Sequence, residues 1–387
     1  MTVIAEIGTS HSGDIIKAKE LIDASKEAGS DAVKFQWVYA DEILHPATGF
    51  VELPGGKVPL YERFRSLEVK PEFFSECAEY ARKKNILFVC SPFGLRSLSE
   101  LYEIKPDFIK IASPELNHVP LLKKSADLIK SVPFIVSSGV STLSDIECAL
   151  KILTGGDEEL KKRITLLHCS TFYPTPEEEY NVNLVRNLSS VFGVDCGISD
   201  HSLDPVLVPV LSVMAGGTMI EKHITLSNET DGLDDPVALT PEKFCVMTRA
   251  VHQTVTLIER YRKEENARSN FNLVSSGVPQ AAFNEVLKQL YDEYGKEKVN
   301  ACLGDGVKRF SKSERENYGR TNRSLRYVKN LKKGSCVEEG SIAVLRTEKV
   351  LEPGLHPSYL DFVLGKKLTK DVKDGEAVKL SDFTVSE

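Results

Sequence analysis

Residues 3–14 read VIAEIGTSHSGD, a short apolar run interrupted by Glu6 and followed by small polar residues. A doubly wound sheet that binds a dinucleotide places a glycine-rich G-x-G-x-x-G fingerprint directly after its first strand. TSHSGD carries no such pattern, so the run reads as the first strand of a different parallel fold. Seven further runs have the same character: DAVKFQ (31–36), ILFVCSP (86–92), FIKIAS (108–113), PFIVSSG (133–139), ITLLHCS (164–170), GVDCGISD (193–200) and TMIEKHIT (218–225). Helical patterns separate most of them. In 16–28, for example, Ala18, Leu21, Ile22 and Ala28 fall near one face and Gly29 stops the helix. Eight strands alternating with helices predict a (β/α)8 TIM barrel over 1–265, with every strand's C-terminal end opening into one shared mouth.

Two segments break the rhythm. Residues 37–70, with PATGFVELPGGKVP inside, predict a long loop after the second strand, of the kind that forms lids or binding loops. Beyond residue 265 a linker with a helix near 282–294 occupies 266–321. Short strand-like runs SLRYV, SIAVLR and AVKLSDF, with KKG and KDG turns, then predict a small β-rich domain over 322–387.

The chain has 387 residues, 41% of them hydrophobic, and a net charge of -7, with no basic stripe of the kind nucleic-acid backbones require. The N-terminus has no secretory pattern, and no stretch of about 18 apolar residues appears, so neither export nor a membrane is expected and the cytoplasm is. Eight scattered cysteines without a CxxC pair read as mostly buried thiols.

The strand ends collect Glu6, Lys34, Gln36, Ser91, Lys110, Ser113, Ser137, Ser138, His168, Ser170, Ser199, His201, Glu221 and His223. Lys34 and Lys110 sit inside apolar strands, VKF and IKI. In a barrel neither strand face meets solvent except at the ends, so these lysines imply a polar cavity that takes an anion, with serine hydroxyls as donors. His201 and His223 end consecutive strands. They suit either packed, hydrogen-bonded core histidines or an open two-imidazole site for a borderline divalent ion such as Mn2+, Fe2+, Co2+ or Zn2+. Glu221 lies two residues before His223 on the same face and could contact a hydroxyl or serve as an acid or base. His168 reads as a packed residue.

The series IAEIGTSHSGD, DAVKFQ, CSPF, IKIAS, IVSSG, LLHCSTFYPTP, GISDHSLD, GGTMIEKHIT and DGLDDPVALTP resembles, in order, the sialic acid synthase family of N-acetylneuraminate, legionaminate and pseudaminate synthases. KSERENYGRTNRSLRYVKNLKKG resembles the start of that family's SAF (antifreeze-like) domain. The resemblance implies metal-dependent condensation of phosphoenolpyruvate with an N-acetylated amino sugar of the N-acetylmannosamine type, giving a nonulosonic acid and phosphate. Mn2+ is the foremost metal, with Mg2+ or Co2+ as alternatives. His201 and His223 would hold the metal, and Lys34, Lys110, Ser91, Ser113, Ser137 and Ser199 phosphoenolpyruvate. Gln36, Tyr173, Glu221, Asp234 and Lys349 would face the sugar, and Glu6, Lys34, Lys110 and Glu221 would be catalytic.

A domain-swapped homodimer is implied as well, each SAF domain capping the other subunit's barrel. The chain departs from the family pattern at Ser10 and Thr171, where asparagine is usual, and at Lys349, near the position of the SAF-domain arginine, with Arg346 three residues earlier. An altered sugar acceptor is the expectation. The alternatives are a phosphoenolpyruvate-sugar synthase of the 3-deoxy sugar acid type and a catalytically silent carbohydrate-binding homologue.

Overall fold

All eight apolar runs form strands of one closed parallel barrel: β1 (Thr2–Gly8), β2 (Ala32–Trp37), β3 (Leu87–Pro92), β4 (Phe108–Ile111), β5 (Phe134–Ser137), β6 (Ile164–His168), β7 (Asp195–Asp200) and β8 (Met219–His223). The computed structural model describes residues 1–53, 56–230, 232–268, 277–348 and 350–383. Each strand pairs with its neighbours in sequence, and β8 closes on β1 in the register Ile4↔Glu221 and Glu6↔His223. Local chemistry starts the first helix, Ile15–Glu27, where the Asp14 carboxylate accepts the Ile16 N–H at 2.7 Å as an N-cap.

Side chains alternate between the two faces of each strand. Outward residues such as Val3, Ala5, Ile7, Val33, Phe35 and Ile198 pack against the helices in the large core. Inward, Ile4, Ala32, Val89, Ile135, Leu167 and Met219, with Phe108 against them, plug the barrel floor. Two residues further along each strand, the inward positions are Glu6, Lys34, Ser91, Lys110, Ser137, Cys169, Ser199 and Glu221. One pleat therefore separates a dry floor from a polar shelf.

Gly197 belongs to the floor, and a Cβ there would stand 2.0 Å from the Met219 carbonyl oxygen on β8. Only glycine lets β7 and β8 approach this closely. Gly197→Ala is expected to cost at least about 1–3 kcal/mol as an overpacked core position, read as a lower thermal midpoint. A midpoint equal to wild type would show that the strands have room to spare. Behind the same two strands, Lys222 Nζ lies 2.6 Å from Asp200 Oδ2, with both side chains fully buried. This pair braces the residues immediately preceding His223 and His201.

Residues 37–70 are not an open loop. They form the helix Ala40–Ile43, a hairpin of Phe50–Leu53 with Gly56–Pro59, and the helix Leu60–Arg65. The physical reason is an apolar set, Val38, Ile43, Leu44, Leu60 and Leu67, that buries against Phe93 as a satellite core. Within the linker, the insertion expected at 273–304 forms two helices, Gln280–Tyr294 and Lys296–Leu303, which pack on the barrel flank through Val182 N–H to Cys302 O at 2.9 Å and Asn183 N–H to Leu303 O at 3.0 Å. Its first residues, 273–276, lie outside the described part.

The C-terminal module pairs β9 (Arg323–Tyr327) with β10 (Ile342–Arg346) over a small core containing Leu325, Tyr327, Val337, Val363 and Val378. The run AVKLSDF is not a strand. It contributes two isolated bridges, Ala377↔Arg326 and Phe383↔Leu368, and between them a short 3-10 turn, Leu380–Asp382. Within one chain the module covers its own barrel: Arg346 bridges to Leu44, and His45 Nε2 lies 3.0 Å from Asp374. Among the described residues no helix is long and apolar enough to cross a membrane.

Candidate active site

The barrel mouth and the C-terminal module enclose a cavity of about 350 Å3. It brings together Glu6, Lys34, Gln36, Ser91, Lys110, Ser113, Ser137 and Ser199, as well as Tyr173, His201, Glu221, His223 and Asp234. Lys349 lies outside the described residues. Arg346, three positions earlier, lines the cavity. Ser138, His168 and Ser170, expected at the mouth, do not line it. They fall on the opposite strand parity, and His168 Nε2 donates to the Tyr180 carbonyl at 2.6 Å, which accounts for it as a packed residue.

The shelf is an ionic cluster. Lys110 Nζ lies 3.0 and 2.9 Å from the two Glu221 oxygens. Lys34 Nζ lies 2.8 Å from Glu6 Oε2 and 3.6 Å from Glu221 Oε2. Burial alone would raise the Glu221 carboxyl, but Lys110 and then Lys34 hold it well below the usual carboxylate range. The two lysines differ. Burial would lower both, yet Glu221 and Glu6 together lift Lys34 above the ordinary lysine value, whereas Lys110, with Glu221 as its one close carboxylate and Lys34 nearby, stays below it. Lys110 is thus the less neutralised cation and gains more from an added anion. Ser199 Oγ donates to Glu221 at 2.9 Å, and the buried Ser137 hydroxyl has no hydrogen-bond partner, so it is a donor in reserve.

The imidazoles lie above this cluster, their ring centres 5.7 Å apart. His201 Nδ1 is 2.7 Å from the Ser170 carbonyl, which can only accept, so Nδ1 carries the proton and Nε2 keeps its lone pair. Burial, followed by the charge of His223, drops His201 to about 3, so it is neutral at ordinary pH. His223 Nδ1 is buried without a hydrogen-bond partner, 3.9 Å from Asp234. Tyr173 stacks on His201 at 4.1 Å while 46% exposed, so it forms part of the cavity rim. Gln36 Nε2 donates to Glu6 Oε1 at 2.8 Å and aims that carboxylate across the shelf.

Sequence reasoning missed the apolar wall of Val38, Phe64, Leu67 and Phe93, because two of its elements come from the folded 37–70 excursion. It also missed Glu115. This buried carboxylate follows β4, and its Oε1 accepts Arg323 Nη2 at 2.8 Å and Arg346 Nη2 at 2.7 Å. The two arginines flank β9 and β10, so one acid clasps the module to the barrel and draws Arg346 to the cavity edge. The IASPE run gave a weak signal, since a carboxylate four residues past a strand end reads as ordinary loop chemistry.

The NeuB family model matches residues 21–263 and the SAF domain model residues 322–384. The chain is 29% identical to the N,N'-diacetyllegionaminic acid synthase of Campylobacter jejuni, over 97% of this chain and 98% of that one. It is 30% identical to the pseudaminic acid synthase of the same organism, over 98% and 96%. Among solved structures, a spore coat polysaccharide biosynthesis protein of Bacillus subtilis superposes with a TM-score of 0.77 at 28% identity, covering 100% of this chain and 96% of the other. With a family model spanning most of the barrel and relatives matched along nearly their whole length, the chain belongs to the NeuB family, as a condensing enzyme of the transferase type with an SAF domain at its C-terminus.

Proposed function

We propose that the chain condenses phosphoenolpyruvate with an N-acetylated amino sugar of the N-acetylmannosamine type, releasing phosphate and forming a nonulosonic acid. The observation that carries this is the shelf itself: two buried lysines converge with the hydroxyls of Ser91, Ser137 and Ser199 on one cavity beside the imidazoles of His201 and His223. The relatives named as legionaminic and pseudaminic acid synthases support the product class.

His201 and His223 fit a divalent metal. One has its lone pair fixed by the Ser170 carbonyl, and the other has an orphaned buried nitrogen. Among the described residues no group of three or more metal-binding side chains occurs, so positions are left for water and substrate oxygens. Lys34 and Lys110 are matched by Glu6 and Glu221, so an anionic substrate finds no surplus positive charge on the shelf. A divalent ion, Mn2+ foremost and Mg2+ or Co2+ as alternatives, supplies that charge when bound and polarises the acceptor aldehyde.

The chain's own residues do the rest. Lys110 and Lys34 hold the carboxylate and phosphate of phosphoenolpyruvate, with Ser91, Ser113, Ser137 and Ser199 as donors, and so orient C3 toward the acceptor carbon. As the C3–C bond forms, positive charge develops at C2. Glu6, fixed by Gln36 and Lys34, faces that charge and takes one proton of the water that adds at C2. That proton passes to the former aldehyde oxygen, which becomes a hydroxyl, and the second water proton leaves with phosphate as the C2–O bond breaks and C2 becomes a ketone. Gln36, Tyr173, Glu221 and Asp234 meet the sugar hydroxyls, and the wall of Val38, Phe64 and Leu67 receives the N-acyl methyl. The cation that meets the sugar from the C-terminal module is Lys349 or Arg346; of these Arg346 lines the cavity, and Lys349 lies outside the described residues.

A homodimer that exchanges its C-terminal modules is part of this proposal. A swap replaces each intrachain contact by the identical interchain one, so the Glu115 clasp forms in either arrangement. Light scattering decides it, and a monomer would remove this part. Eight free thiols suit the reducing cytoplasm.

The test is phosphate release from phosphoenolpyruvate with Mn2+ across a panel of N-acetylated amino sugars. Release is expected with at least one acceptor, and His201→Ala and His223→Ala should each weaken Mn2+ binding by at least about tenfold in calorimetry. No release with any acceptor, together with no binding of phosphoenolpyruvate or Mn2+, would overturn the proposal.

A further inference from the structure

The connector between barrel and module runs over the ends of β5 and β6, and it grips them. Glu314, 2% exposed, accepts on Oε1 from the Val140 N–H at 2.6 Å, the Thr171 N–H at 3.1 Å and the Thr171 hydroxyl at 3.1 Å. Asn322 Nδ2 donates to the Val140 carbonyl at 3.0 Å, and Asn317 Nδ2 to the Thr171 carbonyl at 2.9 Å. Lys308 Nζ donates to the Ser138 carbonyl at 2.9 Å.

What they hold is a strained turn. Val140 has φ 42°, a left-handed conformation that a β-branched residue rarely adopts without outside support. Both of its polar backbone groups are bound by connector side chains, the N–H by Glu314 and the C=O by Asn322. The turn matters because Ser137, with its unpartnered hydroxyl, stands three residues before it. The intervening Gly139 donates its N–H to Ser113 Oγ at 3.0 Å. Gly139 also leaves no slack: a Cβ there would stand 2.8 Å from Thr171 and 2.9 Å from both Cys169 and Ser113. Ser113, Ser137, Cys169 and Thr171 all line the cavity, so the connector determines how its anion-facing end is arranged.

We propose that Glu314 is a positioning residue that locks the turns after β5 and β6 in the arrangement that binds the anionic substrate, making the barrel competent only when its connector is docked. This rests on the phosphoenolpyruvate assignment for its kinetic consequence, while the locking itself concerns backbone amides alone.

The test uses the full chain with Glu314→Ala, Glu314→Gln and the double variant Glu314→Ala/Val140→Gly. Glu314→Ala is expected to raise the KM for phosphoenolpyruvate about tenfold or more and leave that for the sugar within about twofold. Glutamine keeps an acceptor oxygen and should restore most of the affinity. Glycine adopts positive φ without strain, so Val140→Gly should recover phosphoenolpyruvate affinity in the alanine background. Amide exchange at Val140 and Thr171 should quicken in Glu314→Ala and be slow again in Glu314→Gln. A merely structural role would move both KM values together, with no recovery from the glycine, and that result overturns the proposal, as does unchanged amide exchange. If the wild type neither binds phosphoenolpyruvate nor releases phosphate, the functional assignment fails on that control, and the exchange measurement still decides whether Glu314 locks the turns.

Discussion

Lys110→Ala is expected to lower kcat/KM for phosphoenolpyruvate by about 10²–10³-fold, the usual cost of removing one preorganised charge-assisted donor from a water-poor site. Lys110 is the more exacting target of the two lysines. Its ammonium is bound to Glu221 alone among carboxylates, whereas Lys34 divides its charge between Glu6 and Glu221. The substitution also leaves Glu221, itself buried, with Lys34 at 3.6 Å and the Ser199 hydroxyl at 2.9 Å as its remaining partners. Lost substrate binding and lost stability therefore appear together.

The two effects separate by pH. Lys110 and Lys34 depress the native pKa of Glu221, so it contributes stability above the ordinary carboxylate value that is lost as pH falls toward the depressed one. With Lys110 gone the depression is smaller, and stability should fall less steeply on acidification. Calorimetric titration with phosphoenolpyruvate checks the first effect and pH-dependent melting the second. Normal phosphoenolpyruvate affinity in Lys110→Ala would contradict the assignment of the shelf.

The second large effect concerns the clasp. Glu115→Ala removes the one carboxylate shared by two arginines, of which Arg323 is fully buried and held down to about 10, by burial first and with Arg346 adding to it. Arg323 remains charged at neutral pH, so the substitution leaves an uncompensated buried cation, which costs about 3–5 kcal/mol. In a chain of this size that corresponds to a melting shift of about 4–6 °C. The loss should fall on the junction, because Arg323 also donates to the Phe93 carbonyl at 2.7 Å on the barrel side and to Val344 at 3.1 Å within the module. Limited proteolysis should therefore cut the connector first, and Glu115→Gln, which keeps an acceptor oxygen, should fall between the two. An uncut connector and an unshifted melt would mean that the backbone bridge of Leu44 to Arg346 and the His45–Asp374 pair seat the module without the clasp.

The contrast between these two sites explains what could be read from the residues in order. Lys34 and Lys110 announced themselves because a charged residue inside an apolar strand has few places to go, whereas the other strand-end residues were gathered from both faces. In the structure strand parity keeps Glu6, Ser91, Ser137, Ser199 and Glu221 on the shelf and turns Ser138, His168 and Ser170 away. Barrel geometry converts period-2 alternation into convergence, so eight local patterns sufficed for the fold and the shelf. The segment 37–70 misled for the opposite reason. Its glycines and prolines read as loop, while the apolar residues that fold it are spaced too irregularly to show a period and find their partners in the distant Phe93, Ala112 and Leu233.

The sequence by itself determined the barrel, the polar shelf and the pairing of His201 with His223, because each follows from side-chain periodicity along one strand and from the rule that strand ends share a mouth. Only the tertiary structure decided that Lys34 and Lys110 are neutralised to different degrees, that Glu115 clasps two arginines and draws Arg346 to the cavity edge, and that Glu314 and Asn322 restrain Val140. The physical reason is range. Periodicity is a property of neighbours within a few residues, whereas these charges and hydrogen bonds join groups separated by between 28 and 231 positions, and nothing local to either partner records the other.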